Sequence, residues 1–281
     1  MNMVAAPSPT HAQNHTHTHT DMHTYEELAG MIDHSLLHPT MTDRELAAGC
    51  RLAAKYKVAS VCVKPYYVKA AAKLLKGTKV AVGAVVGFPH GSNATEIKRL
   101  ETQVACRDGA TEIDMVINIG KALSSDWKYV AADIRGVVRE AHKHGALVKV
   151  IFENDFLPDD AIKKRLCKVC EKAGADFVKT STGYGFVKGP DGRYSYRGAT
   201  EEDLKLMRAT CSKKVRVKAA GGVRDLDALM RVRALGVDRC GATATAAMLD
   251  EFRKRAKAAR ATSPEGTPPK SGTNTLGTGG Y

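Results

Sequence analysis

Four ionisable residues interrupt apolar runs in the middle of the chain. They are Asp114 in Ile113-Asp114-Met115, Lys149 in Val148-Lys149-Val150, Lys179 in Val178-Lys179-Thr180 and Lys218 in Val217-Lys218-Ala219. Strands covered on both faces read as nearly continuous apolar stretches, and an unpaired charge buried in one is costly. One such interruption reads as a surface charge at a strand end. Four in successive strands read as a shared site or as an ion network between Asp114 and the lysines. The chemistry of a shared site follows from the residue types. A lysine is a nucleophile only when neutral, and a second ammonium nearby lowers its pKa. The neutral amine adds to a carbonyl and forms a Schiff base, whose iminium is the electron sink for breaking or making a C–C bond. A carboxylate moves the protons, directly or through water. Neither a metal nor another cofactor is required, and the strands hold no His-x-x-x-His or Asp/His cluster to bind a metal.

These residues must be positioned by a repeating unit. An amphipathic helix, a glycine, a small residue and a short apolar strand recur at Gly109, Gly145, Gly174 and Gly236. Glycine suits the end of a helix that closes with a left-handed residue, and a period of ~30 residues is that of a βα unit. Strands are expected at 30–34, 59–63, 79–86, 112–116, 147–152, 177–179, 216–219 and 237–240, with helices between them. One helix starts at Ser125-Asp126 and buries Val130, Ile134 and Val138; another opens at Pro158-Asp159-Asp160 with Pro in its first turn. Eight alternating units predict a single (β/α)8 TIM barrel over 25–258, with active residues at the C-terminal ends of the strands. An open doubly wound sheet is the rival, but no Gly-x-Gly-x-x-Gly follows an early strand. The turns Gly221-Gly222 and Gly241-Ala242-Thr243 follow the last two strands, where barrels bind phosphate through backbone N–H groups. Thr180-Ser181-Thr182-Gly183 offers further donors.

Composition bounds the alternatives. The chain has 281 residues, 43% hydrophobic and 26% charged, which excludes a mostly disordered or fibrous protein. No apolar run approaches the ~18–20 residues of a membrane span. The net charge of +13 is spread through the body rather than held in a basic arm, and aromatics are only 6%, so nucleic acid is not an expected partner. A basic nucleic-acid-binding protein with a degenerate barrel is the reading from another class. Seven cysteines, an odd count without a secretory signal, imply reduced thiols and a cytoplasmic location. Cys167-x-x-Cys170 lacks the second pair of a tetrahedral metal site. Residues 1–24 read as a disordered His-rich leader and 259–281 as a flexible Gly/Pro-rich tail.

The order of several segments resembles class I deoxyribose-phosphate aldolase. They are Ile32-Asp33-His34-Ser35-Leu36-Leu37, Ala59-Ser60-Val61-Cys62-Val63, Val86-Gly87-Phe88-Pro89-His90-Gly91, the run from Glu112 to Gly120, Leu147-Val148-Lys149-Val150-Ile151, the run from Ala175 to Gly183, and Val217-Lys218-Ala219-Ala220-Gly221-Gly222. The resemblance implies the barrel and the reversible cleavage of 2-deoxy-D-ribose 5-phosphate to D-glyceraldehyde 3-phosphate and acetaldehyde, in deoxyribonucleoside catabolism. It implies Lys179 as the Schiff-base lysine, Lys218 as the neighbour that lowers its pKa and Asp114 as the proton-relay acid. Lys149, Cys62, Ser35, Phe88 and Thr182 would surround the substrate, and Gly183, Gly221, Gly222, Gly241 and Thr243 would hold the phosphate. A homo-oligomer, dimer or tetramer, is also implied. The alternative is another Schiff-base sugar-phosphate aldolase or a transaldolase-like barrel, separated by whether acetaldehyde is released.

The chain departs from the family pattern in several places. Tyr184 stands where some members have a lysine near the phosphate, and the segment 185–197 is longer than in compact members. The replacement cation is sought at Lys188, Arg193 or Arg197. Glu153-Asn154-Asp155 replaces the commoner Glu-Thr with a small residue, and Thr243 stands where many members have Ser. The terminal Tyr281 is a candidate proton relay.

Overall fold

The computed structural model describes residues 23–262. The leader up to residue 22, the tail beyond 262 and Tyr281 lie outside the described residues. The first element is helix α1 (Tyr25–Ala29), followed by strand β1 (Ile32–Leu36), α2 (Asp43–Tyr56), β2 (Ser60–Val63), α3 (Val68–Leu74), β3 (Ala81–Val86), α4 (Thr95–Arg107), β4 (Glu112–Val116), α5 (Ile119–Leu123), α6 (Trp127–Lys143) and β5 (Leu147–Ile151). Then come α7 (Asp160–Ala173), β6 (Phe177–Lys179), the short pair β7 (Val187–Lys188) and β8 (Tyr194–Ser195), α8 (Glu201–Thr210), β9 (Arg216–Ala220), α9 (Leu226–Ala234), β10 (Arg239–Ala242) and α10 (Thr245–Thr262). Eight strands close a parallel barrel in the order β1-β2-β3-β4-β5-β6-β9-β10, and β7-β8 is a separate antiparallel hairpin. The expected TIM barrel is therefore the fold.

The helices form where the sequence supplies caps and one apolar face. Asp126 accepts the N–H of Tyr129 at 3.2 Å and starts α6, which buries Val130, Ile134 and Val138 against the barrel as the spacing predicts. For α7 the expectation needs correction. Asp159 is the cap, accepting the N–H of Ala161 at 2.7 Å, so Pro158 precedes the helix instead of lying in its first turn. The carboxylate satisfies an N–H that would otherwise have no partner, and the helix begins one residue after it. Gly174 ends α7 with φ of 86°, the left-handed conformation that the recurring glycine was expected to provide.

One buried lysine serves the scaffold. Lys98 on α4 is fully buried; its Nζ donates to Asp133 Oδ2 at 2.6 Å and to the Val116 carbonyl at 2.9 Å. Asp133 also accepts the Thr95 hydroxyl at 2.8 Å. The pair fastens α4 to α6 and to the end of β4. Burial lowers the Lys98 pKa and Asp133 opposes that fall, so the ammonium depends on its partner.

The register decides which inward residues meet. Asp114 on β4 pairs with Lys149 on β5, and Lys179 on β6 pairs with Lys218 on β9. Asp33 on β1 sits opposite Ser60 and Gly241.

Candidate active site

The four in-strand charges form one cluster centred on Asp114. Lys149 Nζ donates to Asp114 Oδ1 at 2.9 Å, while Lys179 and Lys218 both donate to Oδ2, at 2.8 and 2.7 Å. Asp33, Glu112 and Arg239 belong to the same cluster and were not singled out from sequence. Lys149 also donates to Glu112 at 2.5 Å, and Lys218 lies 2.6 Å from Asp33 Oδ2 as an ion pair. Arg239 bridges Glu112, at 2.6 Å, and Asp33. Ser60 completes the shell of Asp33 with a 2.7 Å hydrogen bond. The four charges therefore form one ion network, and Lys179 and Lys218 of that network also line a cleft.

The electrostatics single out Lys179. Burial pushes the Asp114 carboxyl up, but Lys149, Lys179 and Lys218 outweigh it and hold the group well below the usual carboxylate range. Asp33 is depressed in the same way, against burial, by Lys149, Lys218 and Arg239. Burial also opposes the charges of Lys149 and Lys218, yet their carboxylates raise both above the ordinary lysine value. Lys149 has three carboxylates within ion-pair reach and Lys218 has two, Asp33 and Asp114. Lys179 reaches Asp114 alone among the described residues. Burial lowers its pKa, Asp114 pulls it back and Lys218 lowers it further, leaving a net fall. The charge count agrees: Asp33, Glu112 and Asp114 face Lys149, Lys179, Lys218 and Arg239. Three carboxylates balance four bases when one base is neutral, and Lys179 is the one with the weakest hold on its proton.

Above the cluster opens a cleft of about 550 Å³ at the C-terminal ends of the strands. Lys179, Lys218, Cys62, Ser35, Thr182, Gly183, Gly221, Gly222, Gly241 and Thr243 all line it. Asp114 and Lys149 lie one layer below, reaching the cleft through Lys179 and Lys218. Phe88 is also one step removed: it packs edge-on against Tyr184, with ring centroids 5.6 Å apart, and Tyr184 lines the cleft. Burial pushes the Cys62 thiol up to about 11, so it stays protonated and is a poor nucleophile. His34 is tied to Thr245 at 2.9 Å, and burial lowers its pKa to about 4, which keeps the ring neutral.

Lys188, Arg193 and Arg197, where a cation for the phosphate is sought, stand outside the cleft lining. All three are exposed and none lines the cleft, whereas Arg224, just after Gly221-Gly222-Val223, does. The segment after β5 explains its own departure from the family pattern. Burial raises the Glu153 pKa, and its carboxyl accepts the N–H of Thr182 at 3.1 Å and the Thr182 hydroxyl. Asp155 accepts the N–H groups of Arg197 and Gly198 at 2.7 and 3.0 Å. The first acid fixes the loop after β6, and the second fixes the return of the long insertion.

Comparison with known proteins agrees with this geometry. The sequence model of the DeoC/LacD family aldolases matches residues 28–252. The deoxyribose-phosphate aldolase of Rhodopirellula baltica is 49% identical over 231 residues, 82% of this chain and 91% of that one. That of Clostridium perfringens is 45% identical over 225 residues, covering 80% and 95% of the two chains. Among solved structures, a putative deoxyribose-phosphate aldolase from Coccidioides immitis superposes with a TM-score of 0.75 at 35% identity, covering 82% of this chain and 87% of that one. The tetrameric deoxyribose phosphate aldolase from Aeropyrum pernix does so with a TM-score of 0.73 at 30% identity, covering 83% and 93%. The chain belongs to the DeoC/LacD family of aldolases.

Proposed function

We propose that the protein cleaves 2-deoxy-D-ribose 5-phosphate reversibly to D-glyceraldehyde 3-phosphate and acetaldehyde, through a Schiff base on Lys179. The observation that carries this reading is the shared grip of Lys179 and Lys218 on Asp114 Oδ2 at the floor of the cleft. The neutral Lys179 amine adds to the C1 aldehyde of the open-chain sugar, and loss of water leaves an iminium. Removal of the proton from the C3 hydroxyl lets the C2–C3 bond break. Its electron pair passes to C2 and forms an enamine, while C3 departs as the aldehyde carbon of D-glyceraldehyde 3-phosphate. Protonation at C2 and hydrolysis of the resulting iminium release acetaldehyde and restore the amine. Asp114, held ionised by its lysines, moves these protons through water. Lys218 keeps the basicity of Lys179 down and remains a cation beside the reacting carbons. The phosphate sits at the glycine turns, with the Thr243 hydroxyl and the Arg224 guanidinium.

Turnover of 2-deoxy-D-ribose 5-phosphate should release acetaldehyde and triose phosphate in equal amounts, read by coupled dehydrogenase assays. The iminium is the electron sink, so EDTA should leave the rate unchanged. Release of a different aldehyde overturns the reading, as does a loss in EDTA that zinc restores. The proposal extends to a homo-oligomer working in the reducing cytoplasm, where the seven free thiols are stable. Light scattering of the purified protein checks the first part and cell fractionation the second.

A further inference from the structure

Between β6 and α8 the chain makes a detour that ends in Tyr196, the residue after β8. The detour is clamped to the barrel. Asp155 holds the N–H groups of Arg197 and Gly198, and the N–H of Ala199 donates to the Gly221 carbonyl at 3.1 Å. Gly198 packs so closely that a β-carbon on it would meet the Gly221 backbone at 2.9 Å. The clamp places Tyr196 over the glycine turn. A β-carbon at Gly221 would lie 1.8 Å from the phenol oxygen, and one at Gly183 would lie 4.0 Å from it. The ring packs against Phe186, with centroids 5.6 Å apart, and both line the cleft.

The phenol oxygen is buried; its polar neighbour is the Ser181 hydroxyl, and neither hydroxyl makes a well-aligned hydrogen bond among the described residues. Buried hydroxyls are normally satisfied, so this end of the cleft is short of an acceptor. The nearby carboxylates are already engaged, Glu153 by Thr182 and Asp155 by Arg197 and Gly198, and the remaining groups are donors or cations. No acceptor among the described residues meets the backbone N–H of Gly183, Gly221 or Gly222, and Arg224 lines the same wall. Burial, with Glu153 and Asp155 nearby, pushes the Tyr196 pKa up, so the phenol keeps its proton. The missing component is an anion with several acceptor oxygens.

We propose that Tyr196 donates a hydrogen bond to the phosphate of the substrate, which makes the β7-β8 insertion part of this chain's phosphate-recognition machinery. The identity of the substrate rests on the reading above; the anion contact does not. Tyr196→Phe keeps the ring and removes only the hydroxyl. Calorimetry with inorganic phosphate should show binding to the wild type and about tenfold weaker binding to the variant. KM for 2-deoxy-D-ribose 5-phosphate should rise by a similar factor with kcat nearly unchanged, while kcat/KM for unphosphorylated 2-deoxyribose stays the same. Equal phosphate affinity in the two proteins, no saturable phosphate binding by the wild type, or equal losses on both sugars overturns the proposal. Failure of the aldolase reading looks different: Tyr196→Phe still weakens phosphate binding, but no acetaldehyde forms. The contact then stands, with another phosphorylated compound as its ligand.

Discussion

Lys179→Leu abolishes covalent trapping and lowers turnover by about ten-thousandfold or more, the scale of losing a nucleophile that forms a covalent intermediate. Wild-type protein treated with acetaldehyde and borohydride gains a reduced ethyl group, which peptide mass mapping places on Lys179. The variant gains none. The loss is interpretable because the substitution suits the cluster. Asp114 keeps Lys149 on Oδ1 and Lys218 on Oδ2, so it remains ionised and paired. Asp33, Glu112 and Asp114 are then matched by Lys149, Lys218 and Arg239, with no charge left over. Lys218→Leu would instead take from Asp33 a cation 2.6 Å away. The folded stability of Lys179→Leu should stay close to that of the wild type while its chemistry disappears. Trapping of the variant to the same extent, at any lysine, removes Lys179 from its role.

Why the sequence revealed the centre of this site and not its rim is a matter of where each signal resides. Asp114, Lys149 and Lys218 each stand between apolar residues and Lys179 follows an apolar pair, Phe177-Val178, so the cost of burying a charge marks them locally. Asp33 and Arg239 also fall inside the expected strands 30–34 and 237–240, but each has a polar neighbour, His34 or Asp238, so neither stands out as a lone charge in an apolar run. The β10 boundary lies two residues beyond the expected one because the strand ends in Gly241-Ala242, residues with little strand propensity. Glu112 opens β4 and resembles an ordinary strand-end charge. Its partner Arg239 is 127 residues away, and only barrel closure brings the two together. Arg224 follows the Gly221-Gly222 turn in a segment with no apolar run around it, so nothing local marks it as a residue of the cleft. Glu153 and Asp155 were visible only as departures from a pattern. Their hydrogen bonds to Thr182 and to the hairpin return explain why those acids are there.

Lys218→Met separates an electrostatic role from a structural one by moving the pH dependence of the reaction upward. In the wild type, burial and the Lys218 ammonium lower the Lys179 pKa, while Asp114 raises it. Removing Lys218 deletes a lowering influence and also leaves Asp114 Oδ2 to Lys179 alone. Both changes favour the ammonium form of Lys179, so its pKa rises. Attack on the carbonyl requires the neutral amine, and below its pKa each unit of rise costs about a factor of ten in reactive amine. Lys218→Met should therefore lose about a hundredfold in kcat/KM near neutral pH and regain a large part of it as the pH is raised. The rate of borohydride trapping should follow the same curve, because it reports imine formation without the cleavage step. Two other patterns would redistribute the roles. If no adduct forms at any pH, Lys218 is itself the Schiff-base lysine. If the loss is equal at every pH, Lys218 acts only as a tie between Asp33 and Asp114, and burial alone must account for the low basicity of Lys179.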